Sequence, residues 1–158
     1  MSPRRLALLA GCALLTRPLA AAPSEEGAEQ ALAADPDYAA ASAALKAQDF
    51  ARALPFLQAA LKRFPDSAQL HNDLGYSHRK LGQLPPAFAH YKRALALDPR
   101  HRGAHEYIGE AYLMVGDVAS AEKHLEALRA ICVLGCEELQ ELQEAIEEWR
   151  RRRAGAKQ

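Results

Sequence analysis

The 158-residue chain carries 25% charged and 49% hydrophobic residues. This is ordinary usage for a folded domain and excludes disorder as the default. Acidic and basic residues balance at 20 each, but Arg4, Arg5 and Arg17 stand in an N-terminal stretch without acids, and removing those three leaves 17 basic against 20 acidic residues. A mildly acidic body has no overall electrostatic drive toward nucleic acid or anionic lipid.

In chain order, the first element reads as an export signal: basic Arg4 and Arg5, an apolar run from Leu6 to Leu15, the breaker Pro18, then Ala20, Ala21 and Ala22. Ten apolar residues are too few for a membrane-spanning helix, which needs about 20. Residues 1–22 are therefore expected to be a signal peptide, cleaved around Ala20 to Ala22. A second reading takes Leu9-Ala10-Gly11-Cys12, which resembles the lipobox of bacterial lipoproteins and would attach the chain to a membrane through Cys12. Residues 23–33 are small and acidic, and are expected to form a flexible leader or a weak helix outside the core.

From residue 34 a 34-residue period runs three times without a gap. Ala53, Ala87 and Ala121 recur in phase, as do Leu57, Tyr91 and Leu125; Phe50, Leu84 and Val118; Ala40, Leu74 and Ile108. Such a period predicts helix pairs stacked into a solenoid, each unit burying its apolar face against its neighbours. The expected units are 34–67, 68–101 and 102–135. Gln48-Asp49, Gly82-Gln83 and Gly116-Asp117 are predicted turns within them, and Pro65 and Pro99 are predicted stops between them. Apolar spacings of three and four, as in Leu54, Leu57, Leu61 and Phe88, Tyr91, Leu95, fit amphipathic helices. The recurring alanines fit close helix crossings.

The segment 136–158 puts Leu139, Leu142, Ile146 and Trp149 on one helical face and most of its glutamates on the others. It is expected to be a capping helix with a basic tail, Arg150 to Arg153, whose charge complements a helix C-terminus.

These residues resemble the tetratricopeptide repeat family. The second unit carries Leu74-Gly75, Ala87, Tyr91, Ala94 and Pro99; the third has Ile108-Gly109, Tyr112, Ala121 and Leu125 but Val133 in place of the proline; the first keeps Ala53, Ala60 and Pro65. His71 and His105 occupy the position where the family prefers tryptophan, and His78 one where it prefers tyrosine. The resemblance implies an all-α, right-handed α-solenoid of three helix pairs plus the capping helix. It also implies a concave groove, lined by the first helix of each pair, that holds peptides or partner helices. By position that groove includes Tyr38, Ser42, Asn72, Tyr76, Arg79, Glu106 and Glu110. Some members grip a C-terminal carboxylate there with Lys, Asn and Arg; Tyr38, Ser42, Glu106 and Glu110 would repel one, so a basic or amphipathic peptide is the expected partner. The stretches 101–107 and 132–138 also resemble short exported bacterial repeat proteins with a C-terminal CxxxC.

Cys132 and Cys136 would be the two cysteines left after signal removal. A disulfide pinning the capping helix is one reading, since a spacing of four can bring the Cα atoms to about 6 Å. A redox-active pair and a metal site with His124 are the others, although the spacing is not C-x-x-C and a closed site needs four ligands. His101 and His105 are spaced to share a helix face, but Glu106 lies outside the pair, so H-E-x-x-H is absent. His90, His101 and His124 are expected in solvent. No phosphate loop, Ser/His/Asp order or paired-carboxylate motif is present. The expectation is a non-enzymatic, exported binding scaffold of the bacterial cell envelope without cofactor or metal, or, as the alternative, a structural module of an envelope complex anchored through Cys12.

Overall fold

A computed structural model of the chain describes residues 25–156. The signal peptide, the lipobox reading and Cys12 lie outside the described residues.

Among the described residues eight helices follow one another: α1 Glu25–Ala33, α2 Pro36–Lys46, α3 Phe50–Arg63, α4 Ala68–Lys80, α5 Leu84–Leu97, α6 Arg102–Met114, α7 Val118–Ile131 and α8 Glu137–Gly155. The period survives folding with full fidelity. The last residues of α2, α4 and α6 are Lys46, Lys80 and Met114, and α3, α5 and α7 begin at Phe50, Leu84 and Val118, each set 34 apart. Consecutive helices pack as antiparallel pairs, α4 also meets α6, and α6 meets α8. The product is a right-handed α-solenoid of three pairs closed by a cap.

Local chemistry sets these boundaries. Gln48, Gly82 and Gly116 end the first helix of each pair in the left-handed region, at φ of 58°, 73° and 82°, where glycine has no Cβ to strain. The next residue then caps the outgoing helix: Asp49 accepts from Arg52 N and Asp117 from Ser120 N. Gln83, at the same place, makes no side-chain cap, and Pro85 in the first turn presets the helix instead. Asp35, Ser67 and His101 cap α2, α4 and α6. His101 therefore does not stand free in solvent: its Nδ1 accepts from Ala104 N at 3.1 Å.

The alanines of the repeat, Ala53, Ala87 and Ala121, are wholly buried, as their small size at helix crossings requires. At Gly75 a Cβ would lie 2.6 Å from the Tyr91 ring, and at Gly109, one period later, 2.7 Å from the Leu142 side chain. Helices approach closely at these two points because nothing stands between them. The core divides into three clusters along the solenoid axis, centred on α1 to α4, on α5 with α6, and on α6 to α8. Each unit thus packs on its neighbours alone.

Of the two readings of residues 23–33, the described part from residue 25 follows the helix rather than the flexible leader, but it does not lie outside the core. Residues 25–33 form a regular helix, and Leu32 is 6% exposed within the first cluster. One apolar side chain at the right register suffices to dock α1, and composition does not reveal it. Asp35 joins this end together. It caps α2 and accepts both Nε and Nη2 of Arg63 at 2.7 Å, and Arg63 holds its carboxyl below the usual carboxylate range.

At the other end, α8 presses Leu142 and Ile146 into the third cluster, with Leu139 and Trp149 half-buried beside them. Trp149 Nε1 donates to the carbonyl of Leu113 at 3.1 Å. The arginine run fastens the helix more than it decorates its end: Arg150 pairs with Glu122 of α7, and Arg153 lies 4.8 Å over the Trp149 ring. Between α7 and α8, Cys132 and Cys136 have Cα atoms 5.7 Å apart with their sulfurs at bonding distance. Gly135 turns the chain at φ 88°, and Val133 and Leu134 project into solvent, 84% and 100% exposed.

Candidate functional site

The concave side carries a cavity of about 670 Å³ built from α4, α6 and α8; α5 and α7 contribute nothing to it. Residues 76–80 of α4 and 106–110 of α6 provide one wall. Residues four apart share a helix face, so Tyr76 and Lys80 project together from α4, and Glu106 and Glu110 from α6. The rings of Tyr76 and Tyr107 stack at 4.8 Å with a 36° tilt. The guanidinium of Arg79 lies 5.5 Å and 5.4 Å over them, and Lys80 sits 5.4 Å over Tyr76. The opposite wall is α8, which presents Glu141, Glu144, Glu147 and Glu148.

The expected groove residues divide in two. Tyr76, Arg79, Glu106 and Glu110 line this cavity together. Tyr38, Ser42 and Asn72 do not; they lie earlier in the stack, on α2 and α4. There the Tyr38 hydroxyl donates to Asp73 Oδ2 at 3.3 Å. Burial pushes the Asp73 carboxyl up to about 6, although Gln69 also donates to it at 2.8 Å. Asn72 is 4% exposed, and its Oδ1 has no partner. Tyr107 also lines the cavity, and the groove positions taken from the sequence did not include it. They missed the whole α8 wall, because a helix that caps the stack also borders the groove only in three dimensions.

The charge state differs from the sequence reading. Glu110 is not free to repel an anion, since Arg79 Nη1 approaches its Oε2 at 2.5 Å. Glu106 is 3% exposed, and burial, followed by its hydrogen bond to Glu141 and the charge of that residue, pushes it up to about 9. It is therefore a neutral acid at pH 7. The acidity of the groove comes from α8 instead.

The histidines form a second repeated arrangement. His71 Nδ1 meets His90 Nδ1 at 3.1 Å, and His105 Nδ1 meets His124 Nδ1 at 2.9 Å. In both pairs the other ring nitrogen of the first histidine contacts a proline carbonyl, of Pro65 at 3.2 Å and of Pro99 at 3.0 Å. A carbonyl can only accept, so Nε2 of His71 and of His105 carries hydrogen, Nδ1 is the acceptor, and His90 and His124 donate. His90 and His124 are thus bound partners rather than solvated side chains. His78 stacks on His90 at 5.6 Å. No group of three or more potential metal ligands occurs among the described residues.

Burial, with the neighbouring histidines, lowers His90 and His124 from 6.5 to about 4. A histidine depressed on folding contributes stability above its unfolded value, and that contribution falls as pH drops from 6.5 toward 4. Urea unfolding of the wild type and of the His90→Gln/His124→Gln double variant, run from pH 7 to pH 4, is expected to show a steeper acid loss in the wild type. Parallel profiles would contradict this.

The tetratricopeptide repeat model matches residues 38–99 and 73–132. A probable biofilm formation methyltransferase, WspC of Pseudomonas putida, is 32% identical over 100 residues, which are 63% of this chain and 22% of that protein. The chain thus spans about a fifth of the length of that relative. Among solved structures, the TPR2B domain in the pHsp70 complex of yeast Sti1 superposes with a TM-score of 0.67 at 21% identity, over 79% of this chain and 97% of that one. The type III secretion translocator chaperone SycD of Yersinia enterocolitica does so with a TM-score of 0.63 at 18% identity, over 82% and 96%. Together the in-phase helix ends, the buried alanines and the two overlapping family matches have one reading: the chain belongs to the tetratricopeptide repeat family, whose stacked helix pairs are protein-binding scaffolds.

Proposed function

We propose that this chain is an exported scaffold of the bacterial cell envelope that holds a basic or amphipathic segment of a partner protein on its concave side, without catalysis. The observation that carries the reading is the cavity between α4, α6 and α8, with a tyrosine wall facing a glutamate wall. Apolar rings with unneutralised acids suit a segment that alternates apolar and basic residues. The N-terminal basic-apolar-small pattern supports export, and Cys132 with Cys136 at bonding distance suits an oxidising compartment, where the pair would tie the start of α8 to the end of α7. The methyltransferase activity named for the Pseudomonas relative is not part of the proposal, because the match spans 22% of that protein.

Charge reversal tests the groove, at positions chosen by their exposure. Reversing Glu110 would leave Arg79 facing a cation, and reversing Glu106 would bury one, so both would damage the fold. Glu144 and Glu147 are exposed on α8, and they accept from the neutral amides of Gln140 and Gln143. The Glu144→Lys/Glu147→Lys variant is therefore expected to fold with an unchanged circular dichroism spectrum and to capture its partner from an envelope extract at least ~10-fold less well, a loss of about 1.4 kcal/mol. Undiminished capture would place the binding surface elsewhere.

A further inference from the structure

We propose that the loop joining α7 to α8 recognises a second copy of this chain: Val133 and Leu134 of one copy enter an apolar cavity on the other, and the two copies pair about a two-fold axis. The inference is independent of the groove reading, since it uses none of the residues that line the concave cavity.

The loops that join one helix pair to the next repeat with the period. Phe64, Asp98 and Cys132 are the C-caps of α3, α5 and α7, so the three loops follow one another along one edge of the solenoid. The first two place Pro65-Asp66 and Pro99-Arg100 in solvent; the third, at the same two positions, places Val133-Leu134 there. Leu134 is fully exposed and Val133 84% exposed, whereas no other large apolar side chain among the described residues exceeds 54%. Two large apolar residues where the period otherwise puts a turn proline and a charge mark a contact surface. Gly135, at φ 88°, turns the chain so that the loop points outward, and Cys132 and Cys136 at bonding distance hold its two ends together.

The same edge carries a receptor for this knob. A cavity of about 620 Å³ opens between α1 and the first two loops, with Leu32, Phe64, Pro65, Leu97 and Pro99 as its apolar lining. The two acids at these loops are already engaged: Asp66 pairs with Arg93, and Asp98 accepts from Arg100 N at 2.8 Å. Because the cavity lies toward the N-terminal end of the edge and the knob at its C-terminal end, two antiparallel copies bring each knob opposite the other's cavity. The contact is then made twice and closes on itself, leaving no end to recruit a third copy.

The free charges agree with this pairing. Arg100 stands beside the cavity and Glu137 beside the knob, both exposed and neither in an ion pair among the described residues. In the two-fold pair each Arg100 faces the Glu137 of the other copy. A contact confined to one edge is small, so reversible association with a dissociation constant on the order of 10 µM is expected rather than a permanent dimer.

Sedimentation velocity of the purified protein, from about 1 to about 300 µM, tests the proposal and is expected to show a monomer passing into a dimer. Leu134→Asp puts the residue of the first loop into the third. It is expected to keep the circular dichroism spectrum and to weaken the dimer at least ~100-fold, because two buried leucines are lost per pair. Arg100→Glu and Glu137→Arg are each expected to weaken it about 5-fold at low salt, and the double swap Arg100→Glu/Glu137→Arg to restore it. The restoration separates a direct contact from a general loss of fold. A monomer at every concentration would overturn the pairing and assign the knob to a different protein. A dimer that Leu134→Asp leaves intact, or a double swap weaker than either single variant, would overturn it as well.

Discussion

Leu142→Ala is expected to cost about 3 kcal/mol, within the 2–5 kcal/mol that buried leucines lose on truncation. Leu142 is wholly buried, and its methyl groups fill the space that Gly109 leaves open on α6. Because Gly109 has no side chain with which to collapse into the void, the cavity should persist and the cost should sit away from the low end. A solenoid propagates this loss unevenly. Each unit contacts only its neighbours, so uncapping α6 and α7 should loosen the C-terminal end first. Hydrogen exchange is expected to show faster opening of α6, α7 and α8, with α2 to α4 protected as before. Uniform loss along the chain would contradict the nearest-neighbour account.

Arg79→Met is expected to destabilise the fold by about 3 kcal/mol, the low end for breaking a buried pair, since Glu110 is partly open to solvent. The Arg79 side chain is 9% exposed and that of Glu110 28%. Removing the guanidinium also leaves the hydroxyl of Tyr91, to which Nε donates at 3.3 Å, without its partner in the wholly buried core. The double variant Arg79→Met/Glu110→Leu should recover most of the loss, because the uncompensated charge is then gone. Chemical denaturation of the three proteins measures this directly, and a double variant as unstable as Arg79→Met would contradict it.

These residues also mark where sequence reading succeeds and where it stops. The solenoid was legible because the 34-residue spacing repeats the same local events: a left-handed residue, a cap, an alanine at a crossing. The capping helix was legible because Leu142 and Ile146 are four apart on one face. The state of Glu106 was not, since its neutrality depends on burial and on Glu141, which reaches it across a helix pair. The histidine pairs fall between these cases. Their position was recognised as an aromatic slot, which predicts ring volume but not ring hydrogen bonds. A signal was available nonetheless: Pro65, His71 and His90 return as Pro99, His105 and His124 with identical spacing. The docking of α1 through Leu32 left no such signal, because a single apolar residue in a small, acidic stretch has no period.

The central claim is that a partner lies on the concave side, and site-specific photo-crosslinking in the producing cells tests it most directly. A photoreactive amino acid is placed at Lys80, at the rim of the cavity, or at Lys123, exposed on α7 outside it. A discrete crosslinked partner is expected from position 80, disappearing in the Glu144→Lys/Glu147→Lys background, and none from position 123. A partner crosslinked from position 123 alone would contradict it.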